Sequence, residues 1–212
     1  MNELFANAMT PEVFAWNAAS NNQGINSGEL SYILNSISAY RTAQTANPDV
    51  AADVYFTPPL KGPRGVGLAS EHVIPIYAIP RHAKNPDAAK EFILHLTANY
   101  AQATNNSQLY TFPAFPQTVP QLNGWLENDP YGSQPVNKLA FLKDAEKWST
   151  TIGHPGPANA AIGEVFDTFI LPKMMAKAAR GELSARDAVI DAENQIRPIF
   201  QRWRERGLVG GR

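Results

Sequence analysis

Aromatic rings set beside side-chain amides are the most chemically suggestive pattern in this sequence. Trp16-Asn17 precedes Ser20-Asn21-Asn22, Asn35-Ser36 precedes Tyr40, and His154 precedes Gly156 and Asn159. A sugar ring offers apolar CH faces to an aromatic side chain and hydroxyls to forked donors and acceptors such as asparagine. The pattern therefore suits non-covalent recognition of a hydroxyl-rich solute. A plainer reading stands beside it. Trp16 falls at helical spacing and fits a core position, and asparagine-rich stretches also form ordinary turns.

Covalent chemistry finds no comparable footing. The four histidines, His72, His82, His95 and His154, show no paired spacing with an intervening carboxylate, so a metalloprotease helix is not encoded. No Gly-x-Ser-x-Gly elbow, Walker loop or dinucleotide fingerprint occurs. There is no cysteine, which excludes disulfides, thiol nucleophiles and cysteine-based metal sites. The expectation is a protein with no enzymatic activity, no cofactor and no metal.

Charge narrows the partners. With 18 basic and 19 acidic side chains among 212 residues, the net charge is -1 and no basic stripe exists to neutralise phosphates, so nucleic acid is not an expected partner. Arg41 fits either a charged ligand or an ion pair. Residues Met1 to Ala8 lack a charged start followed by an apolar run. The chain is accordingly expected either to have lost its export signal with an N-terminal portion or to be a truncated gene product.

The elements that would position these side chains are mainly helical. Leu4, Phe5, Met9, Val13 and Phe14 recur at three- and four-residue steps. Ser20 to Gly28 looks turn-forming; Leu30–Leu34, Val54–Phe56 and Val73–Ile79 look like strands, and Asn35-Ser36 is placed to cap a helix through Ala43. Asn85-Pro86-Asp87 combines cap, first-turn proline and acid, predicting a helix to about Ala98. Residues 104–136 are rich in Pro, Gly, Asn and Gln and are expected to be irregular, followed by a helix from Val136 to Trp148. Two helices close the chain, about Asn159–Ala179 and one beginning after Ser184, with Pro172 and Pro198 expected to bend them.

The order of these segments resembles the C-terminal half of the extracellular solute-binding proteins typified by maltose-binding protein. The segment Trp16 to Gly28 leading into Leu30–Ser36 matches the family's helix, small-residue loop and strand. Thr57-Pro58-Pro59-Leu60-Lys61-Gly62-Pro63 matches its proline–glycine loop before a crossover strand. Asn85-Pro86-Asp87-Ala88-Ala89-Lys90-Glu91-Phe92-Ile93 is similar to its N-P-E-A-A-x-x-F-I helix. His154-Pro155-Gly156 and Ala179-Arg180-Gly181-Glu182-Leu183-Ser184 complete the series.

The resemblance implies an α/β, type II periplasmic-binding-protein-like fold, truncated, mostly helical with a small incomplete sheet. It places residues 1–72 and about 136–212 mainly in the C-terminal lobe, and about 73–135 in a hinge strand and N-terminal-lobe elements. It implies a periplasmic or extracellular substrate-binding component of an ABC transporter, holding a sugar or related polar solute in an interlobe cleft and meeting permease subunits. By position, Asn35, Ser36 and Tyr40 would face the ligand from one loop and His154, Gly156 and Asn159 from another, with Trp16 and Asn21 as further contacts. The alternative is a non-binding remnant that acts only as a self-associating domain. In either case a homodimer is expected, because a missing lobe leaves apolar surface bare.

Overall fold

The computed structural model describes residues 2–62, 64–68 and 76–210. In chain order its α-helices are α1 (Asn2–Ala8), α2 (Ser20–Asn26), α3 (Ser38–Ala46), α4 (Pro48–Asp53), α5 (Pro86–Ala98), α6 (Tyr100–Asn106), α7 (Leu122–Glu127), α8 (Ala145–Trp148), α9 (Ala160–Asp167), α10 (Ile170–Ala179) and α11 (Ala185–Glu205). Short 3-10 helices occupy Pro11–Ala15, Pro116–Thr118 and Ala140–Asp144. The described residues pack as two compact units, one of residues 2–17 and 149–210, the other drawn from 18–68 and 76–148.

No run of strand forms among the described residues, so the strands expected at 30–34 and 54–56 are not present and the expected sheet is not borne out. Each apolar run has found side-chain partners instead of a neighbouring strand. Leu30 lies against Gly24, where an added Cβ would meet the leucine Cδ1 at 2.6 Å, and the Leu30 N–H donates to the Gly24 carbonyl at 3.3 Å. Val54 ends α4, and the Phe56 ring meets Tyr40 edge-on at 5.3 Å and stacks on Phe141 at 5.5 Å. Residues 76–79 are irregular and lie beside α5; Val73, Ile74 and Pro75 of the third expected strand fall outside the described residues.

The turn-like stretch after Ser20 is in fact helix α2. It is closed by hydrogen bonds from Gly28 N–H to Ile25 O (3.1 Å) and from Glu29 N–H to Gly24 O (3.1 Å), and the Asn47 amide donates to Asn26 O at 3.0 Å. Tertiary partners here outweigh the local turn preference of asparagine. The stretch 104–136 contains α7 and the end of α6, so it is less irregular than its composition suggests. The expected helix from Val136 shortens to the 3-10 helix at 140–144 and α8. Helix α5 starts at Pro86 with Asp87 in its first turn, as expected, although the Asn85 side chain makes no capping hydrogen bond.

The unit made of 2–17 and 149–210 has its core where α9, α10 and α11 meet. Ala161, Val165, Ile170, Ala192 and Ile199 are buried, and Met174, Ile196, Phe200 and Trp203 pack around them. The single helix expected over 159–179 breaks into two at Phe169, which adopts φ 56°. Pro172 explains the break. It has no N–H for the Thr168 carbonyl and its ring would crowd that group inside a helix; the Lys173 Nζ donates to the Thr168 oxygen instead, at 3.0 Å. Pro198, by contrast, lies within an unbroken α11.

Both ends of the α10–α11 connection carry their expected caps. Ser184 Oγ accepts from Asp187 N–H at 3.1 Å. Gly181, at φ 73°, ends α10 with bonds from its own N–H to Ala178 O (3.1 Å) and from Glu182 N–H to Lys177 O (3.0 Å). A Cβ there would occupy a left-handed conformation that disfavours L side chains by roughly 1–2 kcal/mol. Gly181→Ala is expected to lower stability by about 1 kcal/mol, read as a shift of the urea midpoint at unchanged slope.

Candidate functional site

In the unit built from 18–68 and 76–148, three of the sequence-predicted residues come together. Asn35 donates from Nδ2 to Asn22 Oδ1, and Asn22 Nδ2 donates to Ser38 Oγ at 3.4 Å. The Ser36 and Ser38 hydroxyls are 3.1 Å apart, Ser36 N–H donates to Asn35 Oδ1 at 2.7 Å, and Asn22 N–H donates to Asn21 Oδ1 at 2.9 Å. Helix α2 supplies Asn21 and Asn22; the loop into α3 supplies Asn35 and Ser36, and the first residue of α3 is Ser38. Asn35 and Ser36 are exposed, while Asn21, Asn22 and Ser38 are half-buried.

Each primary amide carries two donors and an oxygen with two lone pairs, more than these internal bonds consume. The strip can therefore offer neutral hydrogen bonds to a further molecule. It contains no carboxylate, imidazole or ammonium group, so acid–base work is foreign to it. Asn22 and Ser38 were missed in the sequence. The only signals were their adjacency to Asn21 and Ser36, and nothing in the spacing shows that a bond joins them across sixteen residues.

Tyr40 is placed differently from its neighbours in the loop. It is 3% exposed, and its hydroxyl donates to Ser133 Oγ at 2.9 Å. Beside it, Arg41 resolves the choice left open between charged ligand and ion pair. Its guanidinium donates to both carboxylate oxygens of Asp129, at 2.7 and 3.0 Å, and its Nε donates to Gln108 O at 2.9 Å. Ser133 Oγ also donates to Asp129, and Tyr131 N–H donates to Asp129 Oδ1 at 3.0 Å.

Burial alone would raise the Asp129 pKa; the bonds from Arg41, Ser133 and the Tyr131 N–H, with the Arg41 charge, hold the carboxyl below its ordinary value. Lys138 is buried nearby. Its Nζ donates to Ala51 O (3.0 Å) and Ala52 O (3.2 Å) at the end of α4 and lies about 5 Å from the ring centres of Tyr40 and Tyr55 (5.1 and 4.9 Å). Burial pushes the Lys138 pKa down, opposed by Asp53. The network braces α3 beneath the polar strip.

The remaining predicted residues belong to the other unit. His154 and Gly156 are exposed in a turn with a cis His154–Pro155 bond, closed by Gly156 N–H to Gly153 O at 2.9 Å. The Gly156 N–H is thus already engaged. Asn159 caps α9, accepting from Ile162 N–H at 3.0 Å and donating to Pro157 O at 3.1 Å. Trp16 follows the Pro11–Ala15 3-10 helix and is 39% exposed. Among the described residues no group of three or more His, Asp or Glu side chains is gathered as a metal site, and no helix is long and apolar enough to cross a membrane.

Residues 3–131 match the family described as bacterial extracellular solute-binding protein, and the chain belongs to that family. The polar strip lies wholly inside the matched segment. The fold is similar to that of a candidate oligosaccharide periplasmic-binding protein from Synechococcus sp. MITs9220, with a TM-score of 0.72 and 22% identity. That likeness covers 95% of this chain and 51% of the other, so the chain spans about half the length of the solved structure it matches. No curated protein matches the sequence.

Proposed function

We propose that this chain forms part of the substrate-binding component of an ABC importer, working outside the cytoplasm and delivering a neutral carbohydrate to permease subunits. The observation that carries the reading is the family match over residues 3–131, which contains the strip of Asn21, Asn22, Asn35, Ser36 and Ser38. Amides and hydroxyls without formal charge suit the hydroxyls of a sugar, and the description of the Synechococcus protein as an oligosaccharide binder agrees in substrate class.

Asn21, Asn35 and Ser36 are the proposed ligand contacts, with Tyr40 acting from beneath as a brace for α3. His154, Gly156, Asn159 and Trp16 are proposed separately as contacts of the same chemistry. Binding makes and breaks no covalent bond. Saturation-transfer NMR on the 212-residue chain, with neutral oligosaccharides, polyols and glycerol phosphate, tests this. Transfer is expected to the neutral sugars, with Kd on the order of 1 mM, and at least a tenfold weakening in the Asn35→Ala, Ser36→Ala double variant. No transfer to any neutral sugar, or transfer unchanged in the double variant, would refute the assignment.

A further inference from the structure

Asn123-Gly124, in the first turn of α7, is the one asparagine–glycine step in the sequence. Glycine carries no Cβ to hinder its own peptide nitrogen, so that nitrogen can approach the preceding asparagine side chain closely. Both residues are exposed. A Cβ built on Gly124 would meet nothing within 4 Å, so the space around this peptide is open. Gln121, which precedes α7, makes no side-chain capping bond, and the Trp125 N–H takes the Gln121 carbonyl at 3.0 Å. Among the described residues the Gly124 N–H donates to no acceptor, and the Asn123 amide makes no hydrogen bond.

The three asparagines that precede serine are held differently. After Asn26 the Ser27 N–H donates to Gln23 O at 2.9 Å, and after Asn106 the Ser107 N–H donates to Ala103 O at 3.0 Å. After Asn35 the Ser36 N–H donates to the Asn35 oxygen itself at 2.7 Å. In each of these the following nitrogen is already engaged. At Gly124 it is free.

We infer that Asn123 is a site of spontaneous covalent modification in the folded protein, deamidation through attack by the Gly124 nitrogen. The nitrogen gives its proton to hydroxide and bonds to Asn123 Cγ. The Cγ–Nδ2 bond breaks, and ammonia leaves after taking a proton from water, so a five-membered cyclic imide joins the two residues. Water then opens the ring at either carbonyl. Breaking the new bond gives aspartate in an ordinary chain; breaking the original peptide bond gives isoaspartate, with the main chain rerouted through the side chain. One water is consumed and one ammonia released, with no oxidant, metal or cofactor. The attack needs rotation about the Asn123 Cα–C bond, out of the helical conformation. A six-residue helix is marginal by itself, and Asn123 has no hydrogen bond of its own to give up. Each product adds a negative charge. Isoaspartate also inserts a methylene into the main chain between Leu122 and Trp125, which together with Leu126 reach one core by their three- and four-residue spacing. The inference is independent of solute binding.

Incubation of the 212-residue chain in mildly alkaline buffer, followed by ion-exchange chromatography and peptide mapping by mass spectrometry, tests it. In the folded chain the peptide holding Asn123 is expected to gain the acidic products first, with Asn26, Asn35 and Asn106 intact. With urea added, those three are expected to convert as well. Gly124→Ala, which has room for its methyl group, is expected to lose the acidic species while helical circular dichroism is retained. The fraction carrying isoaspartate is expected to unfold at a lower urea concentration than the fresh protein. An Asn123 that converts only in urea overturns the proposal. So does conversion undiminished in Gly124→Ala, or an asparagine before serine that converts first in the folded chain.

Discussion

Asp129→Ala is expected to destabilise its unit by about 3–5 kcal/mol, because it leaves the Arg41 guanidinium buried without its counter-charge. Both side chains are nearly inaccessible, and the carboxylate is the common acceptor of Arg41, Ser133 and the Tyr131 N–H. Of its hydrogen bonds Arg41 would keep those to Gln108 O and Gln44 Oε1. Urea denaturation followed by Trp125 and Trp148 fluorescence, both tryptophans lying in this unit, reads the loss. A change within about 0.5 kcal/mol would show that the pair is not held as described.

The same carboxylate gives the unit a pH dependence whose sign is fixed. Its folded pKa lies below its value of 3.8 in the absence of the fold. The unfolded chain therefore takes up the proton first as the solution is acidified. The stabilisation is complete above about pH 5 and is lost as pH falls through the folded value. Asp129→Asn removes this portion of the acid transition, so the midpoint of the variant should vary less with pH than that of the wild type in that window.

Leu126→Ala is the second large effect, expected at about 3–5 kcal/mol. Leu126 is fully buried with Ile37, Leu109 and Leu139, and Leu122, Trp125 and Phe112 pack over them. Its side chain comes from α7, a six-residue helix too short to be stable by itself. Truncation thus opens a cavity and also removes the anchor that holds α7 in place. The same urea experiment reads it; a loss below about 1 kcal/mol would mean that the core closes over the vacancy.

How much of this was legible beforehand depends on whether the determining contacts are local. The Ser184 cap and the Gly181 stop were readable, since each is a bond between residues no more than five apart; the start of α5 was readable from the backbone preference of Pro86 in a first turn, not from a cap bond. The break at Phe169 was half readable: Pro172 announced a defect, but a bend and a full interruption differ by whether a left-handed residue is accepted at 169. The strands were misread because Leu30, Val54 and Phe56 have β-forming chemistry while their partners, Gly24, Tyr40 and Phe141, are contributed by helices and turns elsewhere in the chain. At the polar strip, Asn21, Asn35 and Ser36 were visible as residue types. Tyr40 was read as facing outward because nothing in the sequence indicates Ser133, ninety-three residues away, as the acceptor of its hydroxyl.

The lysine held against the end of α4 has a consequence for chemical footprinting. Amine-directed reagents attack the neutral, accessible amine, and the Lys138 amine is turned inward onto two carbonyl oxygens between two tyrosine rings. Burial lowers its pKa, but no reagent reaches the amine while those contacts hold. The rate at which Lys138 is acylated, set beside that of exposed Lys90 in the same unit, is therefore a clock for how often this unit opens.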